Sequence, residues 1–499
     1  MQQERNPNFR KFIWKNYKVY LQIAAIAITL QWIIFKQIYP YPNFRGDSAS
    51  YIGAALAHAD ATEWPVGYSK FLIMMHWFSH SDTFFVTIQY LLLELSALFF
   101  LFTLQYFIRP GKAVLVVLFA FTVFNPMFLH LANYIMSDGL FISLSLLWVS
   151  QLIWIIYRPT FMRAVWHAIL LLCLFTVRYN AMFYPIVAAL AIILSSLRPI
   201  VKIAGIGLSL LLIGLFVGYT ESEFYKTNRV RQFAPFSGWQ LANNALYMYQ
   251  NIALSDADKV PDRFRELDSL VRKSFITDRQ QGLVLNPYIK DYYIWGGQGS
   301  PLQDYLEYRW KGDTTTDMFI KWASMGPLYS AYGGYLVRKH PIEYFKHFVE
   351  PNISNFFYPS IADLGHYNQG NNRIDYRAAQ WFGYKRLTMP KSSRGYEIDI
   401  IKPYPFAITL SNFAFLFTLL SYLLFGEYKK KSKSFNCIII IITSFWLLNF
   451  GFSTAASSVE LRYQVFQFIL CVSFSSILIE ILLTSSNEQK NEKAVITCQ

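Results

Sequence analysis

Charge is what this chain has least of. Only 15% of its 499 residues are Asp, Glu, Lys or Arg, whereas a water-soluble globular chain carries about a quarter, so water is not its main solvent. Cysteine is scarce too: Cys173, Cys437 and Cys471 lie inside apolar runs and Cys498 in the tail, which leaves no disulfide framework for the polar stretches. There is no internal repeat, and the one low-complexity stretch is the polar tail from Ser485.

What is present is apolar length. The chain is 54% hydrophobic and 18% aromatic, with apolar runs at 20–34, 84–108, 113–124, 139–157, 181–197, 200–219, 406–425, 437–452 and 465–483. Most reach or approach the roughly 20 residues that cross a bilayer as a helix. A tenth run, 164–177, is shorter. The basic N-terminus followed by an apolar stretch is like a secretory leader, but the stretch is long and lacks a small-residue cleavage site, so it reads as a retained first span. The expected fold is mainly α, a polytopic transmembrane helical bundle of about ten spans with a mixed, mostly helical extracytoplasmic domain.

The formal net charge of +14 does not point to nucleic acid, because the excess sits in short loops and tails beside apolar runs. Short basic loops stay cytoplasmic, whereas long domains are exempt from that rule. Arg5, Arg10, Lys11, Lys15 and Lys18 precede the first run, and Arg109 with Lys112, Arg158 with Arg163, Arg198 with Lys202 and the run Lys429, Lys430, Lys431 and Lys433 fall on the same side. That run is either an orientation signal or a site for anionic lipid. The loop 40–82 holds Asp47, Asp60, Glu63 and Asp82 against Arg45 and Lys70, which suits the outer face. Four parts follow: a transmembrane module with juxtamembrane helices over 1–219, a periplasmic domain over 220–402, further transmembrane helices over 403–484 and a cytoplasmic tail over 485–499. The protein is expected in the cell's inner membrane with both termini inside. Within the outer stretch, Arg263 to Lys273 has helical spacing and Gly296-Gly297-Gln298-Gly299-Ser300-Pro301 marks a loop.

The chemistry-bearing residues gather in the loops between early runs. Gly46, Asp47 and Ser48 make a helix start, with Tyr51, Ala55 and His58 on one face of the helix that follows. Asp47 there is either a cap or a general base at the membrane surface. Trp64-Pro65-Val66-Gly67-Tyr68-Ser69-Lys70 leads into an amphipathic or re-entrant helix, and Asn125-Pro126, His130, Asn133 and Met136-Ser137-Asp138 join the third and fourth runs. Arg178 with Asn180 follows the fifth run, and Glu460-Leu461-Arg462-Tyr463 precedes the last. Two carboxylates, Asp47 and Asp138, and two guanidinium groups, Arg178 and Arg462, are thus expected at one membrane depth. Arginine's fork of donors matches phosphate, and an ionisable residue at that depth is a functional-site candidate. The alternative for either arginine is snorkelling to the headgroups.

These motifs, in this order, resemble the GT-C membrane glycosyltransferases, particularly the branch of protein mannosyltransferases and aminoarabinose transferases. The resemblance rests on Asp47-x-x-x-Tyr51, Pro65-x-Gly67-Tyr68, Ser137-Asp138, Arg178-x-Asn180 and Glu460-x-Arg462-Tyr463, and covers roughly the first 200 residues and the final run. It implies transfer of a sugar from a polyprenyl-phosphate donor to a lipid, glycan or protein acceptor on the outer face, with inversion. Asp47 would take the acceptor proton, Asp138 would be the second acid of the cavity, and Arg178 and Arg462 would grip the phosphate. Tyr51, Tyr68, Lys70 and Tyr463 would be further substrate contacts. No cofactor is implied and no metal ligand is assigned, with a divalent ion kept open. Where aminoarabinose transferases carry Lys-Pro-Pro, this chain has Trp64-Pro65-Val66, so that donor is not implied, and 220–402 matches nothing in the family.

Other signals have ordinary explanations. His340, Glu343 and His347 lie on one helical face, but Pro341 suits a first helical position and places His340 at a boundary. His76 and His80 form a spaced pair. Glu94 inside the second run either lines a polar path or bonds a neighbouring helix. Trp295, Trp310, Trp322 and Trp381 are sugar platforms or core. Two other functions remain: an O-antigen ligase or polymerase, which concentrates its key residues in a late loop, and a non-catalytic lipid or glycan transporter. The latter often has two related halves, unlike the uneven division here.

Overall fold

A computed structural model describes residues 8–44, 46–252, 260–280, 282, 291–296, 299–389 and 391–497, without the side chains of 363 and 488–497; Arg5, Arg45, Gly297, Gln298 and Cys498, named above, lie outside the described residues. Every apolar run forms helix, because a backbone in lipid must satisfy its own hydrogen bonds. The first half comprises α1 (Phe9–Ile38), α2 (Gly46–Leu56), α3 (Gly67–His76), α4 (Asp82–Phe107), α5 (Lys112–Val123), α6 (Pro126–Asn133), α7 (Ser137–Tyr157), α8 (Phe161–Val177), α9 (Tyr184–Leu194) and α10 (Pro199–Asn228). Next come α11 (Pro235–Tyr249), α12 (Arg265–Gln280), α13 (Tyr292–Trp295), α14 (Pro301–Arg309), α15 (Met318–Ser324), α16 (Gly326–Lys339), α17 (Pro341–Tyr344), α18 (Glu350–Phe357) and α19 (Tyr376–Phe382). The chain closes with α20 (Tyr404–Leu424), α21 (Lys433–Ala456) and α22 (Leu461–Thr497).

Among the described residues, eight helices are long and apolar enough to cross a membrane, and Phe161–Val177 and Tyr179–Leu194 are shorter apolar helices. Only 22% of the apolar window of α1 and 11% of that of α10 is buried inside the protein. Side chains such as Ile26, Leu30, Ile203, Leu211 and Leu215 therefore point outward, an apolar surface suited to lipid. The protein is a mainly helical membrane protein. The third run breaks where Pro126 opens α6 as its first residue, with Asn125 accepting from the Met127 N–H at 3.2 Å.

The stretch 220–402 divides between two cores. Trp239, Leu246, Phe264, Val271, Tyr293, Leu306, Tyr329 and Phe348 belong to a separate outer core, whereas Phe356, Leu364, Tyr367, Ile374, Trp381 and Ile401 join the core of the membrane bundle. In the outer unit α11 crosses α16 so closely that a Cβ on Gly238 would lie 2.0 Å from the Gly326 carbonyl oxygen. Trp322 stacks between Trp239 and Trp295 at 5.4 and 5.9 Å, while Trp381 stacks on His76 at 4.1 Å. Both of these tryptophans are packing residues. The expected helix at 263–273 is α12 with its short leading turn.

At α2 one detail differs from expectation, and at α16 one follows it. His58 does not continue the face of Tyr51 and Ala55: the helix ends at Leu56, His58 takes a left-handed φ of 49°, and the Ala59 and His58 N–H groups bond back to Ala54 and Ala55. This is a helix-terminating motif with histidine in the place usual for glycine. His340 stands at the junction of α16 and α17, as Pro341 requires, and His347 lies 3.2 Å from Glu343.

Candidate active site

Backbone contacts bring distant segments to one end of the bundle. The strand-like segment before α2 pairs with the one before α7: Asn43 N–H donates to Asn133 O at 2.7 Å and Ile135 N–H to Asn43 O at 3.1 Å. Asp47 and Asp138 each follow in the first turn of the next helix, where backbone N–H groups favour an anion. The start of α22 is held by Leu461 N–H donating to Ser360 O at 3.0 Å. The Pro65-x-Gly67-Tyr68 stretch docks on the end of α8, where a Cβ on Gly67 would sit 2.6 Å from the Thr176 carbonyl oxygen. Only glycine lets α3 reach this close, two residues before Arg178.

At the centre lies Asp138, 5% exposed. Its Oδ1 accepts from Arg178 Nη1 at 2.8 Å and its Oδ2 from Arg462 Nη1 at 3.2 Å. Arg462 also donates from Nε to Glu460 Oε2 at 2.9 Å and from Nη2 to the Tyr463 hydroxyl at 2.7 Å, and its Nη2 stands 3.9 Å from Asp47 Oδ2. Every nitrogen of Arg462 is thus engaged. Arg178 differs, since both its bonds, to Asp138 and at 3.2 Å to Ser137 Oγ, leave from Nη1. The Tyr463 ring takes both guanidinium groups, Arg178 at 4.9 Å and Arg462 at 4.6 Å. The Asp47 side chain is 32% exposed and forms the open edge of the cluster.

Tyr51 reaches in beneath Asp47, its hydroxyl 3.0 Å from Ser137 Oγ. Burial pushes its phenol up to about 12, against the opposing charge of Arg178. Tyr68 and Lys70 are placed differently. Tyr68 is fully buried behind Tyr51, ring to ring at 4.9 Å, and donates to Gln89 Oε1 at 2.9 Å. Lys70 pairs with Asp60 at 2.6 Å, a bond that holds the Asp60 carboxyl below its ordinary range. The cluster therefore gathers Asp47, Tyr51, Asp138, Arg178, Arg462 and Tyr463, with Tyr68 one layer back and Lys70 in an ion pair of its own.

Below the cluster opens a pocket. Asp138, Arg178, Arg462 and Tyr463 line its charged end, and Phe141, Ile142, Phe183, Tyr184, Phe445 and Phe466 form the walls. Asn180, Asn449 and Gln467 add three amides. Two acids near the site were not assigned a role from sequence. Glu460 stood in a quoted motif, and its role as partner of Arg462 needs the fold. Glu63 accepts from Ser50 Oγ at 2.8 Å; burial raises its carboxyl above the ordinary range, the Ser50 bond opposes this, and the nearby charge of Asp47 adds to it. Glu94 is buried in α4 and lines no part of the pocket. Among the described residues, no group of three or more His, Cys, Asp or Glu side chains is placed to hold a metal ion.

Compared with protein-family models, curated proteins and solved structures, the chain matches none.

Proposed function

We propose that this protein is a membrane glycosyltransferase that moves a sugar from a polyprenyl-phosphate carrier to an acceptor on the outer face of the bilayer. The observation that supports this is the pocket itself: two arginines and the carboxylate between them, Arg178, Arg462 and Asp138, drawn from three separate segments, close its polar end with Asp47 beside Arg462 at the exposed edge, while its walls are aromatic and apolar. A lipid-borne phosphate has this division of polarity. In this reading the acceptor oxygen attacks the anomeric carbon as Asp47 takes its proton. The bond from that carbon to the phosphate oxygen breaks, and Arg178, with Nε and Nη2 not used on Asp138, meets the charge the phosphate gains. One displacement gives inversion. Asp138 holds the two arginines apart and in register.

The topology that accompanies this reading has ten spans, both termini in the cytoplasm and 220–402 outside. Supporting it, the basic pairs Arg158 with Arg163 and Arg198 with Lys202, and the run Lys429–Lys433, all connect helices at the end opposite the site.

Replacing Asp47 with Asn tests the chemistry while keeping the shape. Sugar transfer from a polyprenyl-phosphate donor should fall by about 10²- to 10⁴-fold, with thermal unfolding of the detergent-solubilised protein unchanged. Turnover at the parent rate would remove Asp47 as the base and favour a ligase or polymerase with its key residues elsewhere.

A further inference from the structure

The pocket is more than a phosphate seat, and its deep end has a chemistry of its own. Asn449, on α21, and Gln467, on α22, are 9% and 2% exposed. They lie two helical turns in from the ends that carry the charged cluster. Asn449 Nδ2 donates to Gln467 Oε1 at 2.6 Å, and Gln467 Nε2 donates to Asn412 Oδ1 at 2.8 Å. Trp446 Nε1 donates to the same Asn412 oxygen at 2.8 Å. An amide network between spanning helices is by itself ordinary glue. These two amides differ because they also line the open pocket, and each has a second N–H beyond the one used in the network. Asn180, on the short turn after Arg178, adds a third amide outside that network.

Amides set among aromatic faces, with no free acid, suit neutral hydroxyl groups. The one carboxylate lining the pocket, Asp138, is held by both arginines, so nothing there is left to pair with a cationic amino sugar. An apolar chain has no use for the amides either.

We infer that Asn449, Gln467 and Asn180 read the hydroxyl groups of the donor's transferred sugar, an uncharged sugar seated below Arg178. This rests on the glycosyltransferase reading and adds to it the class of the sugar and the residues that select it.

The test uses the full chain in lipid nanodiscs and three probes of equal chain length: bare polyprenyl phosphate, a polyprenyl-phosphate hexose panel, and polyprenyl-phosphate aminoarabinose. Asn449→Leu, Gln467→Leu and Asn180→Ala should each weaken binding of the preferred hexose donor roughly tenfold, the loss of about one hydrogen bond, and leave bare polyprenyl phosphate bound as in the parent. Selectivity among hexose epimers should shrink in the same variants. Equal weakening of both probes in all three variants would make the amides purely structural, and a parent preference for aminoarabinose would overturn the uncharged-sugar assignment. Asn180→Ala keeps the question open to refutation if the network variants fail to fold. Failure of the parent to bind any of the probes would instead sink the glycosyltransferase reading itself.

Discussion

Among the described residues there are two buried carboxylate–guanidinium clusters, and they differ in what surrounds them. In the outer unit, Asp268 and Arg272 face each other one turn apart on α12 at 2.6 Å, and the Tyr249 and Tyr332 hydroxyls both donate to Asp268 Oδ1 at 2.9 Å. All four side chains come from one core and close on each other. Around Asp138 the partners come from the ends and starts of separate spans, three acids (Asp47, Asp138, Glu460) face two bases (Arg178, Arg462), and one side opens on a pocket. A buried ion pair by itself is weak evidence of a site or of stability. What distinguishes a working cluster is an acid left at an open edge and a donor left facing empty space.

The largest effect expected from breaking this contrast comes from Arg462. Arg462→Ala strips Asp138 and Glu460 of a shared partner while both stay buried, at a cost of about 3–5 kcal/mol. Chemical or thermal unfolding should show that loss together with lost activity; a stability near that of the parent would mean the cluster is wetter than its burial implies. Arg178→Ala should separate from it. Because Arg178 supports Asp138 through Nη1 and also lines the pocket, donor affinity should drop roughly 10- to 100-fold with a smaller loss of stability. If both variants lose stability alike and neither loses affinity beyond that, the phosphate grip is wrong.

Asp268→Asn is the control from the other cluster. Asparagine still accepts from both tyrosines, and Arg272, with a side chain 20% exposed, can turn to water. The expected cost is about 1–1.5 kcal/mol, with transfer per folded molecule equal to the parent. Reduced turnover at full occupancy of the fold would tie the outer unit to the chemistry and erase the distinction drawn here.

How much of this the sequence carried depends on the kind of signal. Helices in lipid have no alternative for their backbone groups, so all ten apolar runs are legible as helix, including the two short ones. The four residues Asp47, Asp138, Arg178 and Arg462 are conspicuous because charge at a membrane boundary is rare, and the fold does bring them together. Tyr68 and Lys70 lie in the same motif as residues near the site, but which way each points depends on the docking of α3 through Gly67. Asn449 and Gln467 were invisible: an amide inside an apolar run has no period of its own, and only the meeting of α20, α21 and α22 at Asn412 sets the two side by side. The split of 220–402 between two cores was equally hidden, since Trp322 and Trp381 look alike in sequence and pack in different places.

The smallest effect, and the most specific to the open edge, concerns Glu63. Its carboxyl titrates above the ordinary glutamate value of 4.5, first through burial, with the Asp47 charge adding and the Ser50 bond and Arg377 opposing. A carboxyl whose folded value is raised favours the folded state fully below its unfolded value, and that contribution is lost as pH climbs through the folded value. Between about pH 4.3 and neutrality the parent should therefore lose stability relative to Glu63→Gln, which stays neutral throughout. Melting temperature against pH for the two proteins should diverge over that interval and run parallel below it. In the Asp47→Asn background the divergence should shrink, because one of the charges that raises Glu63 is gone. Curves for the parent and Glu63→Gln that stay parallel across the whole interval would show that Glu63 reaches water, and the edge around Asp47 would then be open on that side as well as toward the pocket.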